Sequence, residues 1–172
     1  MILNVPYQSQ LDNVSGTGYR ECFSSSMAMI AMFHGKVKND DAYNAVRQKY
    51  GDSTDAAAQT QALRELGLKP TFVTNFSKED LIKEIEAGWP VGVGWLHKGH
   101  VSAPTGGGHW SVICGVTDTG FVMNDPNGDA SLVAGGYGPS TNGEKLNYSF
   151  TNWLPRWTFP GPSDGWAMTV RT

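Results

Sequence analysis

Apolar residues recur at helical spacing through the first half of the chain, and glycines separate the apolar runs. The spacing predicts four helices, at about residues 22–34, 40–50, 55–66 and 77–88. The last of them begins with Ser77-Lys78-Glu79-Asp80, a capping-box pattern that satisfies free backbone N–H groups of the first turn. A glycine follows each predicted helix, as expected for a left-handed C-terminal cap: Gly35, Gly51, Gly67 and Gly88.

Shorter apolar runs in the second half predict strands at about residues 70–74, 91–96, 109–117 and 120–124. The turn Asp118-Thr119-Gly120 joins the last two strands into a hairpin. Residues 2–9 include Pro6 and predict an extended segment at a sheet edge. Residues 127–147 are rich in Gly, Asn and Ser and predict a long surface loop, which we call the excursion. A short helix at 150–154 and a closing strand at 165–170 complete the prediction.

These elements predict an α+β protein, with N-terminal helices packed on one side of an antiparallel sheet. The chain is long enough for one domain with its own core, and no repeat or linker divides it. We therefore expect residues 1–172 to form a single domain. No apolar run approaches the length of a membrane span, and the first residues lack a secretory signal. The sequence thus predicts a monomer made in the cytoplasm, which acts there or leaves by another route.

Charge and metal-ligand spacing exclude several classes of function. The net charge is −3 and the basic residues are scattered, which argues against binding to nucleic acid or to a membrane surface. No metal or other cofactor is expected, because His97 and His100 lack the Cys/His spacing of a closed zinc site. These two histidines are more typical of a solvated loop, and a position at the rim of a cleft stays open because their loop leads into His109.

Cys22 is the strongest candidate for chemistry because it opens an almost wholly apolar helix. The helix macrodipole and the free N–H groups of the first turn favour the thiolate, which is the nucleophilic form. On spacing alone, a catalytic and a structural role for Cys22 are about equally supported. Cys114 lies in an apolar strand and is predicted to be structural, although a bridge between the two cysteines remains open.

His109 and Asp125, which lie much later in the chain, supply the other two groups that a thiol hydrolase needs. His109 begins one arm of the predicted hairpin and Asp125 follows the other arm, so both return to the same end of it. The carboxylate is then within reach of the imidazole and can orient it. Cys22, His109 and Asp125 are therefore predicted to act as nucleophile, base and orienter of the base.

Four motifs together resemble one known family. They are Val5-Pro6-Tyr7-Gln8-Ser9-Gln10, a cysteine heading a helix at Cys22, Gly108-His109-Trp110-Ser111-Val112-Ile113, and Asn124-Asp125-Pro126-Asn127. In this combination and order they look like the bacteriocin-processing (double-glycine leader) peptidase-like family, a branch of the papain-like cysteine peptidases. The resemblance covers roughly residues 4–127. It implies a papain-like fold and cleavage of peptide bonds by Cys22.

The resemblance also assigns an oxyanion donor. The family motif places that glutamine at Gln10, and Gln8, on the same face of an extended chain, is the alternative. Its amide and the backbone N–H of Cys22 would stabilise a tetrahedral oxyanion. The groove is expected beside Trp95 and Trp110, which bracket the His109 loop, and beside Phe23.

The chain departs from the family pattern at two places. Phe23 follows the nucleophile, where the family usually has Gly or Pro, and would narrow the groove or pack in the core. The polar segment 11–21 resembles an inserted substrate or ion loop, and a calcium site at Asp12 and Asn13 is open, although no dense spacing of oxygen ligands supports it.

The resemblance implies a substrate class. Compact members of the family look like peptidoglycan endopeptidases, including bacteriophage endolysins that cross the membrane through a separate pore. We therefore expect a lytic enzyme that cleaves a peptidoglycan stem or cross-bridge. The alternatives are processing of leader peptides, an amidase or transpeptidase on the same scaffold, and a non-catalytic module that binds cell-wall peptides.

Overall fold

The computed structural model describes residues 1–12, 21–158 and 160–172, with the side chain of Asp12 excepted. A 3-10 turn at Gln10–Asp12 precedes the first helix. The described residues contain five α-helices: α1 (Cys22–Phe33), α2 (Asp40–Arg47), α3 (Ala56–Glu65), α4 (Lys78–Glu86) and α5 (Phe150–Trp157). They also contain six strands: β1 (Lys69–Phe76), β2 (Val91–Trp95), β3 (His109–Val116), β4 (Gly120–Asn124), β5 (Leu146–Ser149) and β6 (Gly165–Arg171).

The strands form one sheet in the order β1-β6-β2-β3-β4-β5, and every neighbouring pair is antiparallel. This arrangement confirms the predicted α+β class. The hairpin of β3 and β4 pairs Val112 with Asn124, so the first residue of β3 and the residue after β4 lie at the same end. None of the described helices is both long and apolar enough to cross a membrane.

Glycine caps end three of the helices as predicted. After α3, the N–H of Gly67 donates to the Arg64 carbonyl and that of Leu68 donates to the Leu63 carbonyl. These two bonds make a Schellman motif, and Gly67 accordingly has a φ of 85°. The same pair of bonds follows α1 and α4.

The predicted end of the second helix is wrong. α2 ends at Arg47, before Gly51, because the chain tightens into a turn in which the N–H of Tyr50 donates to the Arg47 carbonyl. Tyr50, beyond the end of α2, is 37% exposed, and its hydroxyl donates to Glu65.

Helices cover both faces of the sheet, which corrects the prediction of helices on one side only. α1, α2 and α3 pack on the face that carries Trp110, Val112 and Cys114. α4 and α5 pack on the opposite face, against Trp95 and Ile113. β3 is central and buried on both sides, so its alternate residues contribute to both cores. Cys22 and Cys114 are both free, so the bridge left open by the sequence is not formed.

The ends of the chain and the excursion differ from the prediction in detail. The N-terminal segment reaches the sheet through a single bridge, Ile2 to Gly115, rather than as an edge strand. The end of the excursion runs into β5, which the sequence did not predict. β5 pairs with β4 and forms one edge of the sheet, and β1 forms the other.

Candidate active site

Cys22, His109 and Asp125 come together where α1 meets the end of the central hairpin. Cys22 is the first residue of α1, His109 is the first residue of β3, and Asp125 directly follows β4. His109 Nε2 lies 2.8 Å from Asp125 Oδ1, a hydrogen-bonding distance. The thiol of Cys22 interacts with the same imidazole, through a hydrogen bond and through charge. Because Asp125 occupies Nε2, Nδ1 is the ring nitrogen left for the thiol.

A buried polar network fixes the start of α1 and so positions Cys22. Ser24 Oγ accepts hydrogen bonds from Arg47 Nε at 3.1 Å and from Gln59 Nε2 at 2.9 Å. The Tyr43 hydroxyl donates to Gln59 Oε1 at 2.6 Å. The network ties α1 to α2 and α3 two residues beyond Cys22, which leaves the thiol little freedom to move.

The electrostatics of the site favour a charged pair. Burial raises the pKa of Cys22, but the hydrogen bond to His109 and the charge of that ring lower it more, so the net shift is downward. Burial lowers the pKa of His109, but the charge and hydrogen bond of Asp125 and the contact with Cys22 raise it to about 10. Both shifts favour a thiolate beside an imidazolium, the reactive form of a thiol nucleophile.

We expect iodoacetamide to alkylate Cys22 with a pH midpoint below 9.0, the ordinary value for cysteine. The imidazolium of His109 persists up to a pH of about 10, so its charge stabilises the thiolate as the pH falls below 9.0. Mass spectrometry of the alkylated protein at each pH measures the rate, and Cys114 serves as the internal control. Burial raises the pKa of Cys114 to about 12, so it should stay unmodified. A midpoint at or above 9.0 would contradict the ion pair.

Four donors hold the Asp125 carboxylate, which is fully buried. Oδ1 accepts from His109 Nε2 and from the backbone N–H of Asn127 at 3.0 Å. Oδ2 accepts from the hydroxyls of Tyr137 at 2.9 Å and Tyr148 at 2.7 Å. A carboxylate with both oxygens occupied in this way is fixed in orientation.

The two glutamines of the N-terminal motif have different surroundings. Gln8 is occupied elsewhere: its Oε1 accepts from the N–H of Asp40, and its Nε2 donates to the Tyr7 carbonyl. Gln10 is 3% exposed, and its backbone N–H donates to the Pro126 carbonyl, next to Asp125. Its buried Oε1 has no partner among the described residues.

A mostly apolar cavity of about 440 Å³ opens beside the thiol. Its lining includes the three residues that were predicted to flank a groove, Phe23, Trp95 and Trp110, although each is less than a tenth exposed. Phe23 stacks on Trp110 with 3.8 Å between ring centroids. Trp95 belongs mainly to the core, where its Nε1 donates to Ser111 Oγ. The remaining lining residues are Cys22, Thr54, Gly94, Leu96, Gly106, Gly107, Gly108, Arg156, Trp157 and Trp166.

Sequence reasoning missed several neighbours of the site. Tyr137 and Tyr148 lie in or just after the glycine-rich excursion, where no periodicity marks an inward-facing position. Trp166 lines the cavity and is 49% exposed, a position that only the pairing of β6 with β2 reveals. His97 was expected in a solvated loop. Its ring instead lies 5.4 Å from that of His109, and burial and the neighbouring charge of His109 lower its pKa to about 4.

The possible ion loop cannot be compared with the prediction. Asn13 lies within residues 13–20, outside the described part of the chain, and so does the side chain of Asp12. His100, the other histidine of the predicted solvated loop, is exposed. Its Nδ1 lies 2.8 Å from Ser102 Oγ.

Comparisons with known proteins agree on one fold. A family model described as papain-like cysteine protease AvrRpt2 matches residues 1–134. A C39-like peptidase from Bacillus anthracis has a TM-score of 0.68 at 17% identity, over 99% of this chain and 97% of that one. A double glycine motif protease from an AMS/PCAT transporter, in complex with the leader peptide, has a TM-score of 0.62 at 20% identity, over 99% and 93%. The peptidase domain of Streptococcus ComA, a bi-functional ABC transporter of a quorum sensing pathway, has a TM-score of 0.57 at 18% identity, over 89% of this chain and 92% of that one.

A search of curated proteins found no match. At these identities the likeness to solved structures concerns the fold, and in this respect the predicted resemblance to the double-glycine peptidases is confirmed.

Proposed function

Because this chain belongs to the papain-like cysteine protease family of AvrRpt2 and is therefore a cysteine peptidase, we propose that Cys22, His109 and Asp125 form its catalytic triad. The observation that carries this proposal is the continuous contact from the thiol through the imidazole to the buried carboxylate. In this arrangement Cys22 is the nucleophile, His109 the proton carrier, and Asp125 the residue that holds the ring.

The charged pair defines the order of bond changes. The thiolate of Cys22 attacks the carbonyl carbon of the peptide bond, and the carbonyl oxygen becomes an oxyanion. The C–N bond then breaks while His109 gives its proton to the departing amine, which leaves a thioester on Cys22. Water attacks the thioester, His109 accepts the proton of the water, and the acid product leaves with the thiolate restored.

We assign the oxyanion donor to Gln10, together with the backbone N–H of Cys22. Two observations support Gln10 over Gln8. Gln8 is committed at both ends of its amide to Asp40 and Tyr7, whereas Gln10 is anchored next to Asp125. One such donor lowers the barrier by about 3 kcal/mol in comparable sites.

Our first substrate candidate is a peptidoglycan stem or cross-bridge, cleaved by a monomer that reaches the wall through a separate pore. The thiol is approached past exposed glycines, Gly106, Gly107 and Gly108, which leave room for backbone but offer no side-chain pocket. Such an approach suits the small residues of wall cross-links. The net charge of −3 means that binding depends on shape and hydrogen bonds rather than on attraction to an anionic wall polymer.

The second candidate is a linear peptide with a large apolar side chain near the scissile bond, such as a leader peptide. The cavity beside Cys22 favours it, because Trp110, Trp157 and Trp166 line that cavity. Burying an apolar side chain among them contributes about 1.5–3 kcal/mol to binding. The small and charged residues of a wall peptide would not gain this binding free energy, because they have no large apolar side chain to bury.

A single incubation series separates the candidates. The protein is incubated separately with three substrates: purified sacculi, a Gly-Gly leader peptide, and the same leader with its large apolar residues changed to serine. Mass spectrometry identifies the products. Release of amino groups from sacculi supports the wall candidate, and cleavage of the apolar leader alone supports the second. Products that carry a transferred amine instead of water indicate a transpeptidase.

Matched variants sharpen the series. Trp166→Ala removes an exposed cavity wall and should reduce kcat/KM for the apolar leader about tenfold while leaving sacculus cleavage unchanged. Gln10→Ala should lower kcat about 10²–10³-fold on either substrate, with Gln8→Ala as its control. If no substrate is cut at all, a non-catalytic module that binds wall peptides takes the place of both candidates.

A further inference from the structure

Tyr137 reaches the triad from the excursion rather than from the hairpin. We propose that Tyr137 is a positioning residue, which fixes the Asp125 carboxylate and screens the His109–Asp125 pair from water. This inference rests on the proposed triad. It gives the excursion a part in the reaction that neither the motifs nor the family resemblance assign.

The geometry places Tyr137 against both partners. Its hydroxyl donates to Asp125 Oδ2 at 2.9 Å, and its ring meets the His109 ring edge-on, with 5.4 Å between centroids and 67° between planes. Burial and the negative charge of Asp125 raise the pKa of the Tyr137 phenol, so the hydroxyl keeps its proton and remains a donor. The Tyr137 side chain is partly buried, and the His109 side chain that it contacts is 3% exposed.

Backbone contacts hold this part of the excursion in place. The N–H of Gly136 donates to the His97 carbonyl at 2.7 Å, and Tyr137 forms a bridge with Ala130. Gly135 has a φ of 90°, and a Cβ there would meet the backbone of Gly99 at 2.2 Å, so only glycine permits the approach.

Arg156 also holds the excursion against the segment that contains Gly99. Its buried guanidinium donates to the carbonyls of Leu132 and Val133 on the excursion and of Leu96, Lys98 and Gly99 on the facing turn. Five bonds from one rigid fork tie the two segments together, so Tyr137 arrives at the site on a fixed support rather than on a free loop.

Tyr148 shares the carboxylate oxygen but has a different setting. Its hydroxyl donates to Asp125 Oδ2 at 2.7 Å and accepts from the N–H of Ala130, and the side chain is 1% exposed within the core. Loss of the Tyr137 hydroxyl therefore leaves Oδ2 with one donor and Asp125 in place. For this reason Tyr137 can be tested without dismantling the site.

The test compares Tyr137→Phe, which keeps the ring, with Tyr137→Ala, which removes the screen. Loss of one hydrogen bond to a charged group should lower kcat of Tyr137→Phe about tenfold with KM unchanged. Tyr137→Ala should lose about a hundredfold. Its midpoint for iodoacetamide alkylation of Cys22 should also rise toward 9.0, because water weakens the charge interactions that stabilise the thiolate. Tyr50→Phe, on an exposed side chain whose hydroxyl donates to Glu65, is the control and should match the wild-type chain.

The outcomes decide the role whatever the substrate is. Alkylation needs no substrate, so a midpoint shift in Tyr137→Ala supports the proposal even if no peptide is cut, a result that would overturn only the proposed function. Unchanged kcat and midpoint in both variants overturn the positioning role. A loss of activity that only parallels a lower melting temperature, with the midpoint unchanged, overturns it as well. If Tyr137→Ala does not fold, an unchanged kcat in folded Tyr137→Phe is decisive against it.

Discussion

Cys22→Ala is expected to abolish peptide hydrolysis while the protein remains folded. Removal of a catalytic nucleophile costs on the order of 10⁶-fold in kcat, because no other group forms the covalent intermediate. The thiol is half-buried and lies at the first position of α1, whose start is held by the Arg47–Ser24–Gln59 network instead. We therefore expect the unfolding free energy to change by less than about 1 kcal/mol. The measurements are turnover on whichever substrate the incubation series identifies and a thermal unfolding curve.

Cys114→Ser is the matched control, because it changes the same atom at the other cysteine. Cys114 is fully buried in β3 between apolar neighbours. A hydroxyl there should cost about 1–3 kcal/mol of stability while the folded fraction keeps its activity. Residual turnover in Cys22→Ala would exclude Cys22 as the nucleophile, and loss of turnover in folded Cys114→Ser would contradict the purely structural role of Cys114.

Local signals suffice for most of the helices and central strands. Three of the four glycines that follow apolar runs do cap helices, because a left-handed residue after the last turn is a local requirement that glycine meets best. Gly51 does not cap α2, because that helix ends earlier, at Arg47, and the chain continues in a turn. The sequence does not show at which residue a helix changes into such a turn. The hairpin of β3 and β4 is predictable because its turn and both its apolar arms are contiguous in sequence.

Long-range pairing explains what the sequence did not reveal. β5 has four residues and follows a glycine-rich segment, so its strand character comes from pairing with β4 rather than from its own pattern. The position of α4 and α5 on the second face follows from the crossovers of the sheet order β1-β6-β2-β3. No periodicity within either helix specifies which face of the sheet it covers.

The candidate site divides in the same way. His109 and Asp125 lie at the same end of a local hairpin, so the sequence predicts that they are close, whereas the approach of Cys22 was expected from the family resemblance. Tyr137 comes from irregular backbone, and its approach depends on Gly135 and Arg156, which bear no local signature of a catalytic site. Donors that complete a site from a loop are therefore visible only once the loop is folded.

Asp125→Asn is expected to reduce kcat about 10⁴-fold, the scale seen when an amide replaces the carboxylate of a Ser-His-Asp triad. The reason lies in the number of donors that converge on this side chain. All four groups that surround the carboxylate, including His109 Nε2 and the Tyr137 hydroxyl, point hydrogens at it. An amide offers one oxygen and two further hydrogens, so whichever way it is turned, two donors face an N–H₂ group.

The consequence depends on which oxygen is replaced. If the amide nitrogen takes the place of Oδ1, it faces His109 Nε2, and the ring must shift its proton to Nδ1, where it can no longer accept the proton of Cys22. If the nitrogen takes the place of Oδ2, it faces the two tyrosine hydroxyls, one or both of which must rotate away. In both cases the negative charge is lost, so the pKa of His109 falls from about 10. The charge of Asp125 by itself raises the pKa of Cys22, but less than the hydrogen bond and charge of His109 lower it, so loss of the imidazolium moves the pKa of Cys22 toward 9.0.

Asp125→Asn should therefore differ from Cys22→Ala in a measurable way. The thiol is still present, but its alkylation midpoint should rise, and the unfolding free energy should fall by about 2 kcal/mol because buried donors lose their acceptor. Asp118→Asn, on the turn at the far end of the hairpin, is the control for loss of one carboxylate and should leave turnover and midpoint unchanged. An Asp125→Asn protein with a wild-type alkylation midpoint would show that Asp125 does not set the charge of His109, and the triad would then reduce to a Cys–His pair.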